Sequence, residues 1–221
     1  MRTLKLTLML ALSLTASWTA FGAGGGPSTP SSSPSMQMRE PPSPEEQART
    51  AYNAGVRSVE KADELQADAA RQSDAKKQEK LLAKAGKAYQ SAIKKFEQAT
   101  GLRAGMYEAW NYLGYCNRKQ GRYDVALAAY DRALALKPDY AEAIEYRGHA
   151  YLGLNRLAEA KNAYLTLFGA HRKLAASLLT AMQQWVGVHP DAEFASWVSE
   201  RSAIASQTAS LTREGAASSW N

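Results

Sequence analysis

Residues 110–138 read WNYLGYCNRKQGRYDVALAAYDRALALKP, and the sizes of the side chains in this stretch decide the fold. A large residue, Trp110, precedes a small one, Gly114, by about one helical turn. Three residues of the stretch recur 34 positions later, as Gly148, Ala160 and Tyr164. Small residues let two helices approach closely, and large ones fill the seam to the next pair. The period therefore predicts stacked pairs of helices.

The quoted residues Trp110, Leu113, Gly114, Ala126, Tyr130, Ala133 and Pro138 resemble the tetratricopeptide repeat, W-x2-L-G-x2-Y…A-x3-F…P. This resemblance implies an all-α fold, a right-handed α-α superhelix of about three repeats. It also implies a module without chemistry of its own that binds other proteins. The repeats are expected at about 45–106, 107–140 and 141–174, which makes 45–174 the repeat domain.

The third repeat departs from the pattern, with Ile144, Arg147 and Arg172 where the motif has Trp, Leu and Pro. Gly121 suits the left-handed end of a helix, and Asn155 at the matching position of the third repeat tolerates that conformation too. At the start of the third repeat, Asp139 and Glu142 have the spacing of a capping box.

The first repeat is interrupted. Ala51 and Gly55 match Trp110 and Gly114, but the matching second helix appears only at Ala92, Phe96 and Ala99. About 25 extra residues, roughly 60–84, lie between the two helices. They contain neither Gly nor Pro and are rich in good helix formers.

These extra residues predict that both helices of the first repeat are elongated and turn near residues 72–74, where Ser73 or Asp74 can cap the second helix. The resulting hairpin has a thin seam of Leu65, Ala69, Leu81, Leu82 and Ala85. A lysine-rich loop is the alternative, because the seam has few large residues.

The domain begins at a clear helix start. Ser43 can cap a helix that has Pro44 at its first position and Glu45 and Glu46 in its first turn. Residues 23–44 are dominated by Gly, Pro and Ser, which predicts a disordered linker.

The amino terminus is typical of a secretory signal peptide. A basic start with Arg2 and Lys5 precedes an apolar run over residues 6–16 and a small-x-small site at Ala20-Phe21-Gly22. The run is too short to span a bilayer, which needs about 20 apolar residues. Residues 1–22 are therefore expected to be removed, with the mature protein periplasmic or secreted and without an integral membrane segment.

Composition excludes several functions. The net charge is +6 and falls by two when Arg2 and Lys5 are removed. This positive charge is expected to be spread along the chain rather than clustered in one stripe, so nucleic-acid binding is not expected. Cys116 is the single cysteine and cannot form an internal disulfide, and its place in a repeat helix predicts a buried thiol. His149, His171 and His189 lack metal-ligand spacing, and no phosphate-binding loop follows a strand. We expect no enzyme activity, metal or cofactor.

Two further helices are expected after the repeats, within 175–205. The first, which starts near Lys173, carries one apolar face, and the second carries another around residues 194–201. The residues of these faces are Leu174, Leu178, Met182 and Trp185 in the first and Phe194, Trp197, Val198 and Arg201 in the second. They predict a helical cap over the end of the stack. Residues 206–221 are polar and small and are expected to form a disordered tail.

The resemblance places the binding surface on the concave face that the first helices of the repeats line. Its candidate residues are Tyr52, Asn111, Tyr112, Tyr115, Arg118, Glu145, Tyr146 and His149. The Lys/Asn/Arg set with which some such proteins hold a terminal carboxylate is absent. Several Tyr and some acids favour a helical or extended segment bearing apolar and basic residues. The alternative is that some of these Tyr pack only against neighbouring helices.

The sequence thus predicts an exported adaptor that binds another protein or a peptide segment. A structural component of a cell-envelope complex, self-associating through the hairpin, is the alternative.

Overall fold

The computed structural model describes residues 41–218, all of whose regular structure is helical. The signal peptide predicted at 1–22, nearly all of the linker predicted at 23–44, and Trp220 lie outside these residues. The helices are α1 (Pro44–Ala70), α2 (Ala75–Leu102), α3 (Tyr107–Lys119), α4 (Tyr123–Leu136), α5 (Ala141–Gly153), α6 (Leu157–Ala170), α7 (Arg172–Val188) and α8 (Ala192–Ser218). Successive helices pack on one another, and α3 also contacts α1 and α5. The predicted all-α solenoid is confirmed.

The elongated hairpin of the first repeat is confirmed as well. Helices α1 and α2 have 27 and 28 residues, against 13 and 14 in α3 and α4, so each arm is longer by roughly 21 Å. Asp74 caps α2 by accepting from the backbone N–H groups of Lys76 and Lys77, at 2.9 and 3.1 Å. In the seam, Ala69 and Ala85 are buried, whereas Leu82 is 46% exposed and lies at the edge of the seam, where it lines a pocket together with Ala69 and Ala70 of α1. Leu81 is half-buried, and the two leucines flank Ala85 on the helix surface.

Helix α1 begins as expected. The Ser43 hydroxyl accepts from the Glu46 backbone N–H at 3.2 Å, and the Glu46 carboxylate accepts from the Ser43 N–H at 2.8 Å. The capping box predicted for the third repeat is not formed, because α5 begins at Ala141 with Tyr140 as its N-cap and without a side-chain cap. Glu142 is left exposed in the first turn of α5.

Glycines admit large side chains at the helix crossings. A Cβ at Gly55 would lie 2.7 Å from the Phe96 ring, and one at Gly114 would lie 2.6 Å from Cδ1 of Tyr130. Both contacts join the two helices of one repeat. At Gly148 the nearest side chain is instead Leu178 of α7, at 2.6 Å. In the third repeat, Leu178 of α7 therefore occupies the position at Gly148 that Phe96 and Tyr130 occupy at Gly55 and Gly114.

The predicted left-handed positions are both observed, with φ of 73° at Gly121 and 56° at Asn155. Each ends the first helix of its repeat and lets the chain turn into the second.

Helices α7 and α8 cover the end of the stack. Leu178, Met182, Phe194 and Val198 are buried against α6 residues such as Leu167. The disordered tail predicted from residue 206 was wrong over 206–218, where α8 continues to Ser218. No proline interrupts this stretch, and the Ser206 and Thr208 hydroxyls donate to carbonyls one turn earlier, at 2.9 and 3.0 Å. These polar side chains are thus satisfied by the helix itself.

Candidate concave binding surface

The predicted surface residues come from α1, α3 and α5, which lie side by side as the first helices of the three repeats. The structure gathers them into three neighbouring groups. These are an aromatic group around Tyr112, an arginine-centred group around Arg118, and a glutamate–histidine pair on α5.

Tyr52 and Tyr112 belong to the first group. Their ring centroids are 5.8 Å apart, and Tyr112 stacks on Phe96 at 5.1 Å with an interplanar angle of 9°. Tyr52 also meets the edge of Phe96 at 5.8 Å. Both tyrosines are half-buried, so each packs on the core with one face and leaves an edge accessible. The packing alternative that the sequence offered is therefore observed for both rings, and binding of a partner by these rings stays a prediction.

Tyr115, Arg118 and Tyr146 form the second group. The Arg118 guanidinium lies 5.2 Å from the Tyr115 ring centroid and 5.5 Å from that of Tyr146, and the two rings are 5.2 Å apart. Such cation–π contacts fix the arginine between two neighbouring helices. The Arg118 Nε is buried without a hydrogen-bond partner among the described residues.

Asp63 of α1 engages the hydroxyl group of Tyr115. This contact was not predicted from the sequence. The Tyr115 hydroxyl lies 2.8 and 2.9 Å from the two Asp63 carboxylate oxygens, and the Tyr89 hydroxyl of α2 donates to the same carboxylate. Burial and the Asp63 hydrogen bond both raise the pKa of Tyr115. The Tyr115 hydroxyl is therefore engaged within the chain. Asp63 lies in the extra segment, which has no counterpart in the other repeats, so the repeat pattern gives no signal for it.

Glu145 and His149 form the third group, one turn apart on α5. The carboxylate oxygen lies 3.6 Å from His149 Nε2, and Glu145 is only 5% exposed. Burial by itself raises the pKa of Glu145. Hydrogen bonds from His149 and Ser177 and the positive charge of Arg118 outweigh it, so the pKa lies below its ordinary value. Glu145 is thus held as a carboxylate inside the surface.

Asn111 lies 3% exposed beside these groups. Its amide oxygen is buried and accepts no hydrogen bond from the described residues. A buried acceptor of this kind costs free energy until it finds a donor.

At one end of the surface the first turns of α3 and α5 form an aromatic mouth, which we define as Tyr52, Tyr107, Glu108, Tyr140 and Glu142. The Tyr107 and Tyr140 rings meet edge to face at 4.9 Å. Burial raises the pKa of Tyr52 to about 12, helped by Tyr112, Glu108 and Tyr107. The pKa of Tyr140 is raised by burial and by Glu142, Tyr52 and Glu108. Tyr52 and Glu108 line one cavity, and Glu142 follows Tyr140 by two residues at the start of α5. The repeat pattern also places Glu108 and Glu142 along the concave face, but only Tyr52 of the five is among the candidate residues predicted from the sequence.

A cavity of about 650 Å³ opens at this mouth, lined by Ser43, Glu45, Glu46, Arg49, Tyr52, Arg103, Met106 and Glu108. Glu45 pairs with Arg103 at 3.3 Å, whereas Glu108 and Glu142 form no ion pair with any described residue. Lys137 lies over the Tyr107 and Tyr140 rings, at 4.9 and 5.4 Å. The aromatic faces at the mouth thus already hold one ammonium group.

Within residues 41–218, no cluster of His, Cys, Asp and Glu has the arrangement of a metal site. Cys116 is fully buried, and burial raises the pKa of its thiol to about 12. None of the described helices is long and apolar enough to cross a membrane.

Comparisons with known proteins agree with this architecture. Two family models, both described as tetratricopeptide repeat, match residues 77–141 and 117–182. The chain is 31% identical over 86 residues to the "uncharacterized protein ycf37" of Guillardia theta, a match that covers 37% of this chain and 48% of that protein. The chain thus spans about half the length of this relative.

Among solved structures, the chain is similar to the second tetratricopeptide repeat domain of human RPAP3, determined in complex with an HSP70 peptide. The identity is 19%, the coverage is 62% of this chain and 95% of that one, and the TM-score is 0.47.

The 34-residue period, the crossing glycines Gly114 and Gly148 and the two family matches concern the same stretch of sequence. Residues 77–182 thus match models of the tetratricopeptide repeat.

Proposed function

We propose that this protein is an exported adaptor whose concave surface binds a polypeptide segment with basic and apolar side chains. The observation that carries the proposal is the aromatic mouth, where Glu108 and Glu142 lack ion-pair partners among the described residues beside three tyrosine rings. Tyrosine provides large contact area at low cost in side-chain entropy. Carboxylates without partners attract lysine or arginine and repel acidic competitors.

The mouth and the interior of the concave surface differ in how many of their side chains remain accessible to a partner. The Tyr115 hydroxyl meets the Asp63 carboxylate and the Tyr115 ring contacts Arg118, so these interior side chains are already engaged within the chain. The cavity at the mouth is open and is lined by Tyr52 and Glu108 among others. A segment that enters at the mouth is expected to place its basic residue there and its apolar residues along Tyr52 and Tyr112.

Photo-crosslinking in the producing cell tests this proposal. A photoreactive amino acid at position 108 should trap a partner, and the trapped segment should contain Lys or Arg beside apolar residues. The control places the same amino acid at position 165, where Leu165 is 48% exposed on α6. Equal trapping from both positions, or trapping from position 165 alone, would contradict the assignment of the binding surface to the mouth.

Export rests on the sequence pattern of residues 1–22. Amino-terminal sequencing of the protein from the producing cell should find a chain that begins near Ala23, in the periplasmic or secreted fraction. A chain that retains Met1 and stays in the cytosol would contradict export without affecting the binding proposal.

Self-association through the hairpin is the competing role. Its test is the molar mass of the mature protein in solution. A monomer supports the adaptor, and an oligomer that dissociates when the tip of the hairpin is shortened supports the structural role.

A further inference from the structure

Helix α2 carries a lysine stripe, which we define as Lys76, Lys77, Lys80, Lys84, Lys87, Lys94 and Lys95. At about 100° per residue these seven side chains fall within an arc of roughly 100°, on the side of the helix away from its buried residues. The stripe covers 20 positions and is therefore about 29 Å long. The expectation that the positive charge is not clustered in one stripe was therefore wrong for α2, because helical periodicity gathers lysines that are separated along the sequence.

The stripe is exposed and almost unpaired. All seven lysines are exposed, and among the described residues only Lys77 has a carboxylate within reach, Asp74 at 4.0 Å. Glu79 is the single acidic residue between positions 75 and 96. Like charges three and four residues apart destabilise a helix by a few tenths of a kcal/mol per pair. Folding alone therefore does not favour this arrangement.

The other arm of the same hairpin differs. On α1 the solvent side mixes Glu60, Glu64 and Asp68 with Arg57 and Arg71, and Arg71 pairs with Asp68 at 2.6 Å. Such a mixture is the usual composition of a solvated helix surface. The single-sign stripe is thus specific to α2 rather than a general feature of the projecting hairpin.

A groove between the two arms runs beside the stripe. Its cavity of about 540 Å³ is lined by Ser58, Lys61, Leu65, Lys84, Lys87, Ala88 and Ser91. Leu65 and Ala88 pack on the buried core and form an apolar floor. Lys61 rises from α1 on one side, and Lys84 and Lys87 rise from α2 on the other.

We infer that the lysine stripe and this groove form a second docking surface, which takes an acidic amphipathic helix of a partner protein. The partner's apolar row would lie on Leu65 and Ala88, and glutamates or aspartates on both sides of that row would pair with Lys61, Lys84 and Lys87. The remaining lysines would extend the attraction along the helix and speed the encounter. A bilayer surface supplies anionic groups as well, but it cannot enter a groove between two helices.

The charge preference separates this surface from the aromatic mouth. The mouth presents carboxylates and selects basic segments, whereas the stripe presents ammonium groups and selects acidic ones. The protein would then hold two dissimilar partners at once, one on the concave surface and one on the hairpin.

The test measures binding of a synthetic helical peptide, with glutamates on both sides of a leucine row, to the mature protein. The variant Lys80→Gln/Lys84→Gln/Lys87→Gln keeps good helix formers at all three positions. Its affinity should fall by about tenfold or more, equivalent to about 1.4 kcal/mol. The control Arg132→Gln/Arg156→Gln/Lys173→Gln removes the same net charge from exposed positions away from the stripe and the groove and should change affinity by less than about twofold.

Equal weakening by both variants would show that only net charge matters and would overturn the inference. Absence of binding to the unaltered protein would overturn it as well. So would binding to phosphatidylglycerol vesicles that the peptide does not displace, because the surface would then be a membrane contact. The Glu108→Gln variant should bind the acidic peptide normally. A failure of the binding proposal for the mouth can therefore be distinguished from a failure of the docking proposal for the lysine stripe.

Discussion

Tyr115 shows how one side chain can serve the fold at a position where the repeat pattern predicts binding. Its ring lies against Arg118 and Tyr146, and its hydroxyl meets the Asp63 carboxylate from the hairpin. The residue thereby joins the inserted hairpin to the helices of the second and third repeats. Its contribution to stability comes from a charge-assisted hydrogen bond and from aromatic packing.

Replacing Tyr115 separates these two contributions. Tyr115→Phe keeps the ring and leaves Asp63 with one donor fewer, and we expect the free energy of unfolding to fall by about 1–2 kcal/mol. Tyr115→Ala also removes the ring and should cost about 3–5 kcal/mol. Urea denaturation measures both. If Tyr115→Phe is as stable as the unaltered protein, the Asp63 contact does not hold the hairpin in place.

Glu145 predicts a pH dependence of stability. Its pKa in the folded chain lies below the ordinary value of 4.5, so the folded state binds fewer protons than the unfolded state near that pH. The stabilisation is therefore present above pH 4.5 and is lost as the pH falls through the lowered pKa. The difference in unfolding free energy between the unaltered protein and Glu145→Gln should shrink over that range. Parallel stability curves for the two proteins would contradict this role.

At the scale of the helices, Gly114 and Gly86 differ in the space around them: Gly114 lies at a close helix crossing, and Gly86 faces open space. A Cβ at Gly114 would lie 2.6 Å from the Tyr130 ring, whereas one at Gly86 in α2 would have no neighbouring atom within 4 Å. Gly114→Ala should therefore destabilise the protein by about 1–3 kcal/mol through overpacking. Gly86→Ala should stabilise it by about 0.5–1 kcal/mol, because alanine favours a helix interior.

Thermal unfolding of the two variants measures the contrast. Both substitutions add one methyl group inside a helix, so each serves as the control for the other. Equal shifts of Tm in the same direction would mean that the crossing of α3 and α4 tolerates a side chain at position 114.

Much of this element structure could be predicted from the sequence, because it depends on local patterns. The 34-residue spacing predicts α3 to α6, and the lack of Gly and Pro over 60–84 predicts the long arms of α1 and α2. Long-range partners could not be predicted in the same way. Asp63 lies 52 positions from Tyr115, and Leu178 replaces the expected aromatic ring at Gly148 because α7 packs there. The end of α8 was misjudged because polarity was taken as a sign of disorder.

For the whole molecule, stability depends on closure of the stack at its carboxyl end. Helices α7 and α8 cover Tyr164 and Leu167, which are 1% and 0% exposed. Truncation after Leu174 should expose these side chains, each worth about 1.5–3 kcal/mol of burial. We expect a much lower Tm or aggregation. An unchanged Tm would show that the cap is an independent appendage.

At the scale of the whole molecule, the proposed binding surface has an interior and an aromatic mouth. In the interior, the Tyr115 and Tyr89 hydroxyls are engaged by Asp63, whereas the mouth opens to a cavity. Glu108 and Glu142, by contrast, stand at the mouth without ion-pair partners among residues 41–218. The proposed function therefore depends on these two carboxylates rather than on the tyrosine hydroxyls inside.

The most direct measurement is the affinity of the segment trapped from position 108 for the double variant Glu108→Gln/Glu142→Gln. We predict a loss of about tenfold, or 1.4 kcal/mol, with Tm unchanged because both side chains lie at the surface of the mouth. The control Glu64→Gln/Glu200→Gln removes the same charge from exposed positions elsewhere and should bind almost normally. Unchanged affinity of the Glu108→Gln/Glu142→Gln variant, or equal weakening in the control, would contradict the assignment of the binding surface to the mouth.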